Sequence, residues 1–300
     1  MGRTSFYSEI GRNRRDSILL VVVILTFLLV LAYVFSEVFF PGYALIILIF
    51  VGIFVVVDAT LSYRYGDQVV LKSTGAKPAD PVKHAYYINT VEGLALASGL
   101  PTPKAYVIPN SDINAFATGR DPKHASITVT QGALDKLNRQ ELEGVIAHEM
   151  SHIGNYDIRF FTLIAVFVGL VGIISYIFLR SMWYSGGGGG RGGKSDGGGA
   201  ILLVIGIVLA IVAPIVVRLT QLSISRKREY LADATGVKLT RYPPGLAGAL
   251  EKIKNFNKGK MDVSDAVSHL FISDPKSTFL DNIFATHPPI DKRTAKLRSM

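Results

Sequence analysis

A chain of 300 residues that is 49% hydrophobic, with a mean hydropathy of +0.34, is too apolar for an ordinary soluble protein of its length. It carries a formal net charge of +9 and no cysteine, which excludes disulfides, thiol nucleophiles and cysteine-ligated metals. The basic balance does not point to nucleic acid, because the arginines flank apolar runs and no recognisable binding module carries them.

Arg3, Arg12, Arg14 and Arg15 precede a first apolar run, Ile18 to Ser36, and a second follows at Phe39 to Val57. Neither run contains Asp, Glu, Lys, Arg or His, and each approaches the ~20 residues that cross a bilayer core as a helix. The first run is longer than a signal-peptide core and lacks a small-x-small cleavage site, so it reads as an anchor. Glu37 to Gly42 between them has no Lys or Arg, which places the N-terminus in the cytoplasm and returns the chain there after two crossings.

The segment from about 63 to 159 then reads as soluble. Asp80-Pro81 opens a helix running to Ser98, stopped by Gly99 and Pro101. Lys104 to Ile108 reads as a strand, and Ala115–Thr118 and Ala125–Thr130 as a hairpin around Gly119-Arg-Asp-Pro. Residues 125–130 alternate small or polar with apolar side chains. As an edge strand they would pair with an extended substrate, making Asn114, Ile127 and Val129 candidate substrate contacts.

His148-Glu149-Met150-Ser151-His152 follows, with the spacing H-E-x-x-H. Residues four apart share a helix face, so His148 and His152 can reach one metal ion, while Glu149 can contact a water beside it. Such a metal, zinc above all, acidifies water, and a carboxylate in that position takes its proton. Asn138 and Glu141 have capping-box spacing and Gly154-Asn155 gives a stop. Leu142, Ile146, Met150 and Ile153 fall opposite the histidines and would pack on the domain. Gly144, Ala147 and Ser151 on the histidine face are small enough for another segment to approach.

Two further apolar runs, Phe160 to Leu179 and Ala200 to Val217, bring the chain back to the same side, as Arg218 and Arg226 to Arg228 also suggest. Arg180, Arg191 and Lys194 between them run against that orientation rule, unless these two runs dip in without crossing. Residues 185–199 form a Gly-rich linker. Its Gly188…Gly193-Lys194-Ser195 matches the P-loop pattern formally, but without the strand and helix that a phosphate cradle needs.

A catalytic zinc needs a third protein ligand and an open position. Glu229 and Asp233, four apart in Ser225-Arg-Lys-Arg-Glu-Tyr-Leu-Ala-Asp, share a helix face. Glu229 is the candidate ligand and Asp233 the group that holds a ligand histidine by its other nitrogen. Asp157, five residues after His152, is a rival ligand. In Thr286-His-Pro-Pro-Ile-Asp-Lys-Arg293, His287 or Arg293 is a candidate donor to a transition-state oxyanion. His84, His124 and His269 stand in no metal pattern and read as structural or surface residues.

The H-E-M-S-H motif, the S-R-K-R-E-Y-L-A-D-A-T-G motif after a hydrophobic pair, T-H-P-P-I-D-K-R, and Asn114-Ala-Phe-Ala-Thr-Gly119 together resemble the HtpX family. These are membrane-embedded heat-shock zinc metallopeptidases, more distantly related to the CAAX prenyl endopeptidases. The resemblance covers almost the whole chain. It implies a gluzincin core with one Zn²⁺ on His148, His152 and Glu229, and Glu149 as the base. It also implies degradation of misfolded or damaged membrane proteins at the cytoplasmic membrane, alongside an ATP-dependent membrane protease.

The resulting expectation is an α-helical membrane protein of four spans with a cytoplasmic α+β zincin-like (gluzincin) domain. Residues 1–16 form a cytoplasmic N-terminus, 17–62 a two-span hairpin, 63–159 the first catalytic half, 160–218 spans three and four, and 219–300 the second half. A silent membrane scaffold or a transporter is the alternative. The spans lack the ionisable residues that transport sites use, and no catalytic residue is missing.

Overall fold

The computed structural model describes residues 42–166, 226–257, 261, 263, 265–273 and 288–300, together with positions 15, 19, 22, 26, 29, 33 and 36. The first and fourth apolar runs, most of the third, the Gly-rich linker and His287 lie largely or wholly outside these residues.

Helix α1 (Ala44–Ser73) contains the second apolar run and has a mean hydropathy of 2.8 over its most apolar window, with none of that window buried. It is the one helix among the described residues long and apolar enough to cross a membrane. The helix does not stop at Val57, because nothing breaks it before Thr74-Gly75. Its last turns are instead packed: Val70 and Leu71 are buried among Ile108, Phe116, Phe160, Phe161 and Phe271.

A four-stranded sheet follows in the order β1-β2-β4-β3, from β1 (Lys77–Pro78), β2 (Lys104–Ile108), β3 (Ala115–Gly119) and β4 (Ala125–Thr130). The β2/β4 pair is parallel, with Ala105 opposite Ile127, and the other two pairs are antiparallel. Helix α2 (Ala85–Ser98) starts later than Asp80, whose carboxylate accepts from Val82 and Lys83 N–H in a turn before it. It ends as expected at Gly99, in the left-handed conformation (φ 68°) that glycine adopts without steric cost. The β3–β4 connection also needs its glycine. At Gly119 (φ 147°) a Cβ would sit 2.3 Å from the His124 carbonyl oxygen.

After the short α3 (Gln131–Lys136) comes α4 (Arg139–Gly154), which carries both histidines of the motif. Its capping box is formed in both directions: Asn138 Oδ1 accepts from Glu141 N–H at 2.9 Å and Glu141 Oε2 accepts from Asn138 N–H at 2.7 Å. Leu142, Ile146, Met150 and Ile153 are buried in the first core cluster with Tyr87, Val91, Ile127 and Val129. The opposite face is covered as well, by α5 (Arg226–Thr240) and α6 (Pro243–Phe256). Small residues permit this. A Cβ on Gly144 would meet Leu246 N of α6 at 2.6 Å, and one on Gly236 of α5 would meet His148 N at 3.0 Å. Two short helices, α7 (Asp265–Ser268) and α8 (Ile290–Arg298), complete the described chain, α8 packing on α6.

Candidate metal centre

Helix α4 presents His148 and His152 one turn apart, and α5 crosses them with Glu229 facing both. The two Nε2 atoms are 3.3 Å apart, and Glu229 oxygens lie 3.7 Å from His148 Nε2 and 3.6 Å from His152 Nε2. Four donors placed tetrahedrally at zinc bond lengths of ~2.0–2.1 Å would be about 3.3–3.4 Å from each other. The two Nε2 atoms stand at that separation and each faces a Glu229 oxygen at slightly more, Oε2 for His148 and Oε1 for His152, so these three residues could hold a metal ion. All three are at most 5% exposed.

The other nitrogen of each imidazole is held by a carboxylate. His148 Nδ1 is 3.0 Å from Asp233 Oδ1, and His152 Nδ1 is 2.9 Å from Asp157 Oδ2. Two carboxylates in these places fix each ring and leave Nε2 directed at the site. Asp157 therefore stands behind His152 and is not a third ligand. Asp157 Oδ1 in turn lies 2.9 Å from Nε of Arg228, whose guanidinium covers the Phe160 and Phe161 rings.

Arg293 comes from α8 and is fully buried. Its Nε and Nη2 donate to the two oxygens of Asp233 at 2.9 and 2.6 Å, its Nη1 lies 3.6 Å from Glu229 Oε2, and its Nη2 lies 3.5 Å from His148 Nδ1. A weak 3.4 Å bond runs from Nη1 to the Ile272 carbonyl. The side chain braces the ligands from behind; these contacts do not present it as an oxyanion donor.

Glu149 faces the edge of β3, where its carboxyl accepts from the Ala117 N–H. Burial is the main reason its pKa is pushed up to about 7, with the charges of His152 and Arg293 pulling the other way. Burial also lowers His148, against the pull of Asp233. At His152 burial again lowers the pKa. The Asp157 hydrogen bond and the charges of Glu229, Asp157 and Glu149 outweigh it, so that imidazole rises to about 9. Asp233 is opposed by its own burial yet held down to about 2 by Arg293 and His148.

Two expected substrate contacts are corrected by the strand order. Strand β4 is internal, between β2 and β3, so Ile127 and Val129 cannot pair with a substrate; both side chains are fully buried, and the Ile127 carbonyl accepts from Tyr87 Oη at 2.7 Å. The edge beside α4 is β3. Part of it is occupied by the chain itself, since Ile272 N–H donates to the Ala115 carbonyl at 2.9 Å. Asn114 belongs to that contact: its Nδ2 donates to the Ser273 carbonyl at 2.9 Å and its Oδ1 accepts from Ser273 N–H at 3.3 Å. Of the other histidines, His84 accepts from Asp80 N–H, His124 sits on the surface against Asp121, and His269 is buried with Nε2 on the Phe161 carbonyl.

The comparisons with known proteins agree with this geometry. The family model described as "Peptidase family M48" matches residues 81–300. A "Protease HtpX homolog" from Caldanaerobacter subterraneus subsp. tengcongensis is 47% identical, covering 100% of this chain and 99% of that protein. Another of that name from Thermoanaerobacter pseudethanolicus is 44% identical over the same shares, and one from Streptococcus pyogenes is 38% identical over 98% of this chain and 99% of its own. Among solved structures, S. mikatae Ste24p superposes with a TM-score of 0.51 at 20% identity, over 96% of this chain and 66% of its own. That likeness shows a shared fold. Together with the two-histidine, one-carboxylate cluster, these matches establish that the chain belongs to peptidase family M48 and is a metallopeptidase similar to the HtpX proteases along its whole length.

Proposed function

We propose that this metallopeptidase uses zinc, held by His148, His152 and Glu229, to cleave misfolded or damaged membrane proteins at the cytoplasmic membrane. The observation that carries the reading is the pair of Nε2 atoms 3.3 Å apart, each facing a Glu229 oxygen at 3.6–3.7 Å, with a further carboxylate behind each imidazole. Bound there, zinc supplies Lewis acidity toward a peptide carbonyl and toward water. Glu149 takes the proton from the attacking water and returns it to the leaving amine. Burial supports that role by lifting its pKa to about 7, where it can both accept and give. Asp157 and Asp233 orient the imidazoles, and Arg293 holds Asp233 and Glu229 in register.

The membrane part of the reading rests on α1, on the apolar runs and on the basic flanks at Arg3 to Arg15 and Arg226 to Arg228, which favour the cytoplasmic side for the catalytic halves. Membrane proteins are then the substrates within reach, and an ATP-dependent membrane protease is the expected companion. The test is Glu149→Gln in the purified full-length chain. Cleavage of casein should be lost while zinc, measured by mass spectrometry, stays at the wild-type ratio. Turnover at more than a few per cent of wild type would refute the assignment of the base.

A further inference from the structure

Tyr63 lies on α1 just past its apolar stretch. Leu45, Ile49, Phe50, Ile53, Phe54, Val57 and Leu61 are all exposed, and so are Tyr63 and Tyr65, at 42% and 44%. A helix apolar on every side belongs in a bilayer, and tyrosines with arginine at its end mark the headgroup level. Tyr63 is about 3 Å of helix rise beyond Leu61, inside a headgroup layer of roughly 5–7 Å.

Two arginines from elsewhere in the chain converge on this ring. The Arg159 guanidinium is 5.7 Å from its centroid and that of Arg120 is 5.9 Å. They are tied to each other, since Arg159 Nε donates to the Arg120 carbonyl at 2.7 Å. Arg120 has Nη2 2.8 Å from His124 Nε2 and shares its charge with Asp121 at 3.5 Å. Arg159 does not. Its partners are a carbonyl oxygen and the rings of Tyr63 and Tyr156, and among the described residues no carboxylate lies within ion-pairing distance of it. A partly buried guanidinium with donors left over, stacked on an interfacial tyrosine, suits a phosphate with its two acceptor oxygens.

We propose that Tyr63, Arg120 and Arg159 form a binding site for the phosphate of an anionic phospholipid, at the surface of the bilayer that α1 enters. The proposal rests on the membrane reading of α1 given above. The site joins three parts of the fold: α1, the end of β3 through Arg120, and the helical residues 157–166 through Arg159. A lipid bound there pins the catalytic half to the membrane at the end of the strand whose Ala117 N–H holds Glu149.

The test uses the full chain in nanodiscs of equimolar phosphatidylglycerol and phosphatidylcholine, with retained lipid read by native mass spectrometry. Wild type should keep phosphatidylglycerol in preference, and each arginine removed in R120Q and R159Q should cut that preference about fivefold. Arg139→Gln is the control. Arg139 stacks on Tyr86 at 4.9 Å, but at the opposite end of the 16-residue α4, about 24 Å away. It should change nothing. If removing both arginines together costs zinc, and so the fold, the single R159Q decides. Undiminished preference in zinc-loaded R159Q, or no preference in wild type, overturns the site. Inorganic phosphate stabilising the detergent-solubilised wild type as much as phosphatidylglycerol does, with R159Q abolishing both effects, also overturns it, by making it a free-anion site. Protein that never enters the nanodisc sinks the membrane reading itself, which a missing lipid preference leaves intact.

Discussion

Arg293 grips both oxygens of Asp233, at 2.9 and 2.6 Å, and Asp233 grips His148, so a residue of α8 sets the orientation of an imidazole on α4. A fork of this kind is bidentate and planar, which a lysine ammonium cannot reproduce.

Asp233→Asn should therefore reduce zinc affinity or turnover by about 10–100-fold without abolishing metal binding. Arg293→Lys keeps the charge but spans only one carboxylate oxygen, and should fall in the same range. Chelator competition and casein turnover on the two purified variants check this. Wild-type behaviour in both would mean that Asp233 and Arg293 serve packing alone.

Asp157 gives a second, independent case. Because it faces Nδ1 of His152 and not the ion site, Asp157→Asn should retain zinc at saturating metal and lose it about 10–100-fold more readily to a chelator. Glu229→Ala should instead lose zinc outright, since it deletes a ligand. If the two variants behaved the other way round, the ligand assignment would be wrong.

The contrast between these carboxylates shows where sequence information stops. H-E-x-x-H and the Asn138–Glu141 capping box are local patterns, fixed by helix geometry, and both stand in the structure as expected. Glu229, Asp233 and Asp157 look alike in sequence, since a carboxylate a helical turn or so from a basic or histidine residue can ligate or support. Only the crossing of α4 and α5 separates the roles. Arg228 gave no signal at all: as one of three consecutive basic residues it reads as solvated, yet it is buried between Asp157 and two phenylalanines. Strand order was equally hidden. Alternation in Ala125 to Thr130 fits an edge strand, but β2 pairs with it in parallel from 22 residues earlier, which makes it internal. Asn114 meets Ser273 across a separation of 159 residues, beyond any local pattern.

Zinc binding should release a proton. In the metal-free protein His152 is raised to about 9, so at pH 8 its Nε2 is protonated while Nδ1–H is kept by Asp157. The sign for folding follows from a pKa raised above 6.5: the stabilisation is fully present below about 6.5 and is lost as pH rises through about 9. Zinc affinity moves oppositely. It should rise about tenfold per pH unit up to about 9, because the metal displaces that proton. Calorimetric zinc titrations at pH 8 in two buffers of different ionisation enthalpy should give about one proton per zinc; a value of zero would contradict the shift at His152.

Two glycine substitutions should have opposite effects on stability. Gly93 in α2 has open space where a Cβ would go, so Gly93→Ala should stabilise by about 0.5–1 kcal/mol through helix propensity. Gly144→Ala gains the same propensity, but its Cβ would lie 2.6 Å from the Leu246 backbone nitrogen and must push α6 away. Overpacking of about 1–3 kcal/mol should win, lowering the melting temperature of the zinc-loaded protein. A higher melting temperature in Gly144→Ala would show that α4 and α6 can separate at little cost.

His148 and Arg293, which share Asp233, are 145 residues apart along the chain. At a synthesis rate of about 5–20 residues per second, the ribosome needs on the order of ten seconds to pass from one to the other. Throughout that interval the growing polypeptide carries the two histidines without the arginine that fixes Asp233 behind one of them. A protease built this way acquires the final alignment of its metal centre only when the late helix docks.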